Sequence, residues 1–83
     1  MKIINYSILV KGKVQGVWFR KYTRDKAVEL GIKGYVKNEL DKTVFISAEG
    51  TEEKLDEFIT WLYEGSPLSQ VNEVIYDNCI DSQ

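Results

Sequence analysis

The sequence predicts an α+β fold: one four-stranded antiparallel sheet with two helices packed on a single face. Three observations carry that expectation. Two segments repeat apolar residues at helical spacing, and four others read as strands. They follow one another in the order β-α-β-β-α-β. The chain has 83 residues, so nearly every apolar face has to join one core. A domain this small buries only about 60% of the surface its unfolded chain exposes. One domain over residues 1–83 is expected, without linker, repeat or low-complexity stretch.

Residues 3–10, "IINYSILV", set Ile4, Tyr6, Ile8 and Val10 on one face and Asn5 and Ser7 on the other, the period of a half-buried strand. A glycine-containing connection leads to a helix over 19–30. Phe19, Tyr22, Ala27 and Leu30 form its apolar stripe, and Gly31 stops it. "IKGYVKNE" (32–39) is a second strand, "ELDK" a turn, and "TVFISAE" (43–49) a third strand with Val44, Ile46 and Ala48 inward. After Gly50, Thr51 caps a second helix whose first turn holds Glu52 and Glu53, where the helix dipole favours them. Leu55, Phe58, Ile59 and Leu62 follow at i, i+3, i+4 and i+7, the strongest helical signal in the chain. "GSP" (65–67) ends that helix, and residues 71–80 form a last, less regular strand.

Short connections and right-handed crossovers make this order a split βαβ, or ferredoxin-like, sandwich with strand order 4-1-3-2. Strands 1 and 2 then run parallel with strand 3 between them, and their C-terminal ends share one edge. The loop from Gly12 to Trp18, the end of strand 2 (Lys37, Asn38) and Arg20 in the first helical turn should surround one space. The fold by itself names no activity.

Composition removes several chemistries. There is no histidine and one cysteine, Cys79, so His-based general bases, Ser-His-Asp triads, Cys-rich zinc sites and an internal disulfide are all excluded. No acidic cluster is arranged for a carboxylate-bound metal, and neither metal nor cofactor is expected. No apolar run approaches the ~20 residues that span a bilayer, and no signal-peptide core opens the chain, so a soluble cytoplasmic protein without a membrane partner is expected. The net charge of −2 hides an asymmetry: residues 1–42 carry ten Lys/Arg against four acids, while the remainder sets Lys54 against nine. Most of these charges read as solvated faces. The basic half nevertheless contains "VKGKVQGVWFR" (10–20), with a local attraction for small anions.

That stretch supports two readings. In one, it is a phosphate cradle. Free backbone amides run into a helix N-terminus, Gly12 and Gly16 let the backbone approach a ligand, and the Arg20 guanidinium grips two phosphate oxygens. In the other, it is an ordinary loop with a surface arginine. Asn38 likewise either orients a water without acting as a base or simply opens the turn "NELDK". Gln15 reaches an anion or caps a loop amide, the second being the plainer reading. Trp18 flanks a ligand or covers the sheet edge. Trp61 and Tyr63 fall off the stripe of the second helix and read as surface or partly packed, and Cys79 as a half-buried strand residue. Asp25 and Glu29 are solvated charges or i, i+4 partners. No carboxylate is assigned a catalytic role.

"VKGKVQGVWFR" resembles the first signature of the acylphosphatases, with Gly12, Val14, Gln15, Gly16, Val17, Phe19 and Arg20 as that family has them. "GYVKN" (34–38), followed by Val44 and Gly50, is similar to its second signature, and "GSP" resembles a recurrent Gly-x-Pro. The likeness runs through nearly the whole chain. It implies metal-independent hydrolysis of a carboxyl–phosphate mixed anhydride to a carboxylate and inorganic phosphate, the phosphate being both product and inhibitor. It further implies that Arg20 binds the phosphoryl group with the backbone amides of Gln15, Gly16, Val17, Trp18 and Phe19, that Asn38 positions the attacking water, and that the protein is a monomer. Two departures stand out. Lys42 replaces a signature glycine in the turn and is expected to alter the hairpin and shift Asn38 slightly. The tail "DNCIDSQ" lacks an aromatic or basic ending, from which a short last strand is expected.

The competing reading is a non-catalytic ferredoxin-like module for RNA or a protein partner. An RNA-recognition surface needs spaced aromatics on the open sheet face, where the third strand offers Phe45 and then Ser47, and the pI of about 5.1 disfavours nucleic acid. A heavy-metal module needs a cysteine pair that is absent. A similar domain occurs inside larger carbamoyl-transfer proteins, against which the free-standing length argues.

Overall fold

The structure, a computed structural model, describes residues 2–78. Its elements are β1 (Ile3–Lys13), α1 (Phe19–Leu30), β2 (Lys33–Asn38), β3 (Val44–Thr51), α2 (Glu52–Glu64) and β4 (Gln70–Asn78). The sheet runs β2-β3-β1-β4, antiparallel at every junction, which is the expected split βαβ topology.

Alternation in β1 and β3 builds the inner face. Tyr6, Ile8 and Val10 are buried opposite Ala48, Ile46 and Val44. Leu55, Phe58, Ile59 and Leu62 of α2 close over them, and each fully buried side chain of this kind contributes about 1.5–3 kcal/mol. The Thr51 hydroxyl accepts from the Lys54 amide at 3.3 Å, as its position before two glutamates predicts.

Helix α1 differs from expectation in one respect. Phe19 and Thr23 are buried, with Ala27 and Leu30 partly so, whereas Tyr22 is 41% exposed. At 100° per residue, Thr23 lies nearly beneath Phe19, while Tyr22 sits to one side. Gly31 ends the helix at φ 74°, where its own N–H donates to Val28 and that of Ile32 to Ala27.

Strand β1 is longer than its hydrophobic pattern, because Gly12 and Lys13 pair with Val71 and Gln70 beyond a register shift after Lys11. A Cβ on Gly12 would fall on the Gln70 carbonyl oxygen. Gly12 therefore serves strand contact, not ligand approach, which corrects one part of the cradle reading. β4 has nine described residues, so the last strand is not short; Cys79 lies outside the described residues. Trp61 is half-buried and stacks on Phe19 with ring centroids 6.3 Å apart, and the exposed Tyr63 donates its hydroxyl to the Val74 carbonyl at 3.4 Å. Among the described residues no helix is long and apolar enough to cross a membrane.

Candidate active site

The connection from β1 to α1 is pinned from beneath. Val14, Val17 and Phe19 are in the core, which leaves Gly16, Trp18 and Arg20 at the surface. Two side chains from distant segments fix it further. The buried Ser66 hydroxyl donates to the Val17 carbonyl at 2.9 Å. The Gln15 side-chain amide donates to the carbonyls of Glu39 (2.9 Å) and Thr43 (2.8 Å), fastening the loop to the β2–β3 hairpin. Each such bond contributes about 0.5–1.5 kcal/mol net. The Gln15 side chain thus holds carbonyls instead of an anion or an amide.

Within the loop the sign of φ alternates. Gly16 (75°) and Trp18 (64°) are left-handed, while Val17 and Phe19 are not. Such alternation turns successive N–H groups toward one side, the geometry of a backbone nest. Trp18 is the N-cap of α1 and supplies no side-chain cap, so the first helical amides have no such partner. A tryptophan held at positive φ is a local strain of the kind concentrated at ligand sites.

The loop and the first turn of α1 border a cavity of about 520 Å³. Val14, Gly16 and Trp18 of the loop form one wall, Phe19, Arg20, Lys21 and Arg24 of α1 a second, and Val36 and Asn38 of β2 a third. Arg20 and Asn38, eighteen positions apart, therefore share one space, as the topology predicts. Trp18, 67% exposed, is one of the residues that line it. Gln15 and Val17 are not among the wall residues. Among the described residues no carboxylate lines the cavity; Lys21 pairs with Asp25 at 3.0 Å, while Arg20 and Arg24 have no acidic partner among those residues. The space is electropositive. Among the described residues no group of three His, Cys, Asp or Glu converges as metal ligands do.

The hairpin carrying Asn38 closes through Glu39 and Lys42. The Lys42 amide donates to the Glu39 carbonyl at 3.2 Å, and the Glu39 amide to the Thr43 carbonyl at 2.8 Å. The Thr43 hydroxyl (2.6 Å) and amide (3.1 Å) donate to Asp41 and hold its carboxyl below the usual range. Lys42 itself adopts φ 74°, the conformation glycine would take after such a turn, so the hairpin keeps its glycine-type form. The lysine carries the cost. Lys42→Gly is expected to raise stability by about 0.5–1 kcal/mol, the relieved strain less the entropy glycine adds to the unfolded chain. Thermal melting checks this; an unchanged or lower Tm would show that the lysine side chain stabilises the turn.

Ser66, the Gln15 side-chain bonds, Lys21 and Arg24 were not legible as site features. Ser66 acts on a carbonyl 49 positions away, and only "GSP" beside it hinted at a role.

A family profile for the acylphosphatases matches residues 6–83. The acylphosphatase of Shewanella amazonensis is 49% identical over 67 residues, which are 81% of this chain and 74% of that one. The acylphosphatase of Archaeoglobus fulgidus is 51% identical over 72 residues, 87% of this chain and 81% of that one. In three dimensions, the crystal structure of the Bacillus subtilis acylphosphatase superposes with a TM-score of 0.90 at 36% identity, covering 95% of this chain and 90% of that one. The chain belongs to the acylphosphatase family, and thereby to the hydrolytic enzymes that act on small acyl phosphates.

Proposed function

We propose that the cavity holds the phosphoryl group of an acyl phosphate between the Arg20 guanidinium and the loop amides of Gln15 to Phe19, with Gly16, Trp18 and Phe19 nearest it. Asn38, on the opposite wall, positions the attacking water. The observation that carries this reading is the convergence of Arg20, Asn38 and the φ-alternating loop on one cavity that no carboxylate among the described residues lines.

The chemistry fits that inventory. Water oxygen forms a bond to phosphorus as the bond to the acyl oxygen breaks, and the electron pair leaves with the carboxylate. An acyl phosphate dianion and water thus give a carboxylate and dihydrogen phosphate, in balance. A carboxylate leaves readily, so alignment and stabilisation of the equatorial oxygens are the main demands. Preorganised donors meet them, each worth about 3–4 kcal/mol in comparable sites. Neither a metal nor another cofactor has a role in this proposal. We also propose that this single domain acts as a cytoplasmic monomer, without nucleic acid or membrane partner; every group invoked comes from one chain.

The purified protein is expected to release phosphate from acetyl or benzoyl phosphate in the presence of EDTA, with inorganic phosphate competing. Asn38→Ala should lower kcat by about 10²-fold with little change in KM, because the amide acts on the water and not on the bound substrate. A folded wild type inactive on both substrates would overturn the proposal, as would an Asn38→Ala enzyme of normal kcat.

A further inference from the structure

Phosphate binding by Arg20 accounts for only one of the two unpaired guanidinium groups facing the cavity. Arg24 lies four residues on, on the same face of α1, with about 5–6 Å between the two Cβ atoms. Like charges at that spacing repel. Elsewhere on the helix cations are matched, Lys21 with Asp25 and Lys26 with Glu29 at 3.1 Å, yet Arg20 and Arg24 have no acidic partner among the described residues. Arg24 also borders a second cavity of about 470 Å³ between α1 and strands β2 and β3. Among the described residues Arg24 and Val36 are common to both cavities, so the spaces adjoin there. On the second cavity's wall the buried Thr23 hydroxyl has no hydrogen-bond partner among the described residues.

We propose that Arg24 is a specificity-determining residue that binds a second anionic group carried by the acyl moiety, so that this enzyme prefers acyl phosphates of dicarboxylic acids. The inference rests on Arg20 holding the phosphoryl group. Its dimensions agree with the helix spacing. An extended chain advances about 3.8 Å per three bonds, so the five bonds from phosphorus to the far carboxyl carbon of a four-carbon diacid span roughly 6 Å. The methylenes between them lie against Val36, and the planar guanidinium donates two parallel hydrogen bonds to the carboxylate. A short neutral acyl group leaves Arg24 without a partner.

The test uses two stable analogues in which a methylene replaces the bridging oxygen: acetonylphosphonate, and its counterpart with a terminal carboxylate two methylenes beyond the carbonyl. Their competitive inhibition constants are measured against benzoyl phosphate hydrolysis by wild type, Arg24→Gln and Arg24→Lys. Wild type is expected to bind the carboxylated analogue about tenfold more tightly, the effect of one charged pair in a partly open site. Arg24→Gln should bring the ratio of the two constants close to one, and Arg24→Lys should retain part of it. A wild-type ratio near one, or an Arg24→Gln protein that weakens both analogues equally, overturns the inference while phosphate still competes. If inorganic phosphate fails to compete in wild type, the underlying phosphate-site reading has failed instead.

Discussion

Arg20→Gln is expected to lower kcat/KM for acyl phosphates by about 10²–10³-fold while leaving the fold intact. The side chain is exposed and has no ion-pair partner among the described residues, so its removal strands no buried charge. Substitutions at such positions usually change stability by no more than about 0.5 kcal/mol, and here the loss also relieves repulsion from Arg24. The catalytic cost is of another size. In a loose phosphoryl-transfer transition state the charge sits on the equatorial oxygens, where a fixed guanidinium does most. One preorganised donor of this kind is worth about 3–4 kcal/mol, and 1.4 kcal/mol is a factor of ten. Glutamine keeps a single donor group but loses both the charge and the fork geometry. Competition by inorganic phosphate should weaken in parallel, because the product presents the same oxygens. Steady-state kinetics with a circular dichroism control measures all three quantities. An Arg20→Gln enzyme with kcat/KM within about threefold of wild type would remove the guanidinium from the mechanism.

The contrast between Arg20 and Ser66 shows what sequence can and cannot disclose about this site. Strand alternation in β1 and β3 and the stripe of α2 are local signals, and the chain order then leaves few topologies. From the topology alone Arg20 and Asn38 arrive at one edge, because strands 1 and 2 end there. Bonds between segments are a different matter. Ser66 to Val17, and Gln15 to Glu39 and Thr43, depend on distances that no periodicity encodes. Gly12 is ambiguous in the sequence for a related reason. A glycine in a loop-like stretch fits both ligand approach and close strand contact, and only the position of β4 decides between them. Lys42 is the reverse case. Its left-handed conformation follows from the turn, so the substitution changes energy more than shape.

Gly34→Ala should be the most damaging single-methyl change near the site. Gly34 has φ 141°, a region nearly closed to other residues, and lies opposite Ala48 in the pairing of β2 with β3. An added Cβ would fall on the Ser47 carbonyl oxygen, with the carbonyl carbon at 2.7 Å and the Ala48 Cα at 3.3 Å. All three are backbone atoms, so no side chain can turn aside, and β2 would have to lift from β3, its neighbour in the sheet. Backbone strain of about 1–3 kcal/mol adds to the loss of one or two ladder bonds at about 0.5–1.5 kcal/mol each. The total, about 2–6 kcal/mol, is a large part of what a small domain has in reserve. The melting temperature should fall by about ten degrees or more. Any protein that still folds should also lose activity, since Asn38 ends the displaced strand. Gly31→Ala is the control: its φ is also positive, but among the described residues nothing beyond its chain neighbours and its own helix lies within 4 Å of the new methyl, so only about 1 kcal/mol should be lost, with activity kept. If the two variants melt together, the close approach of β2 to β3 at Gly34 does not hold Asn38 in place.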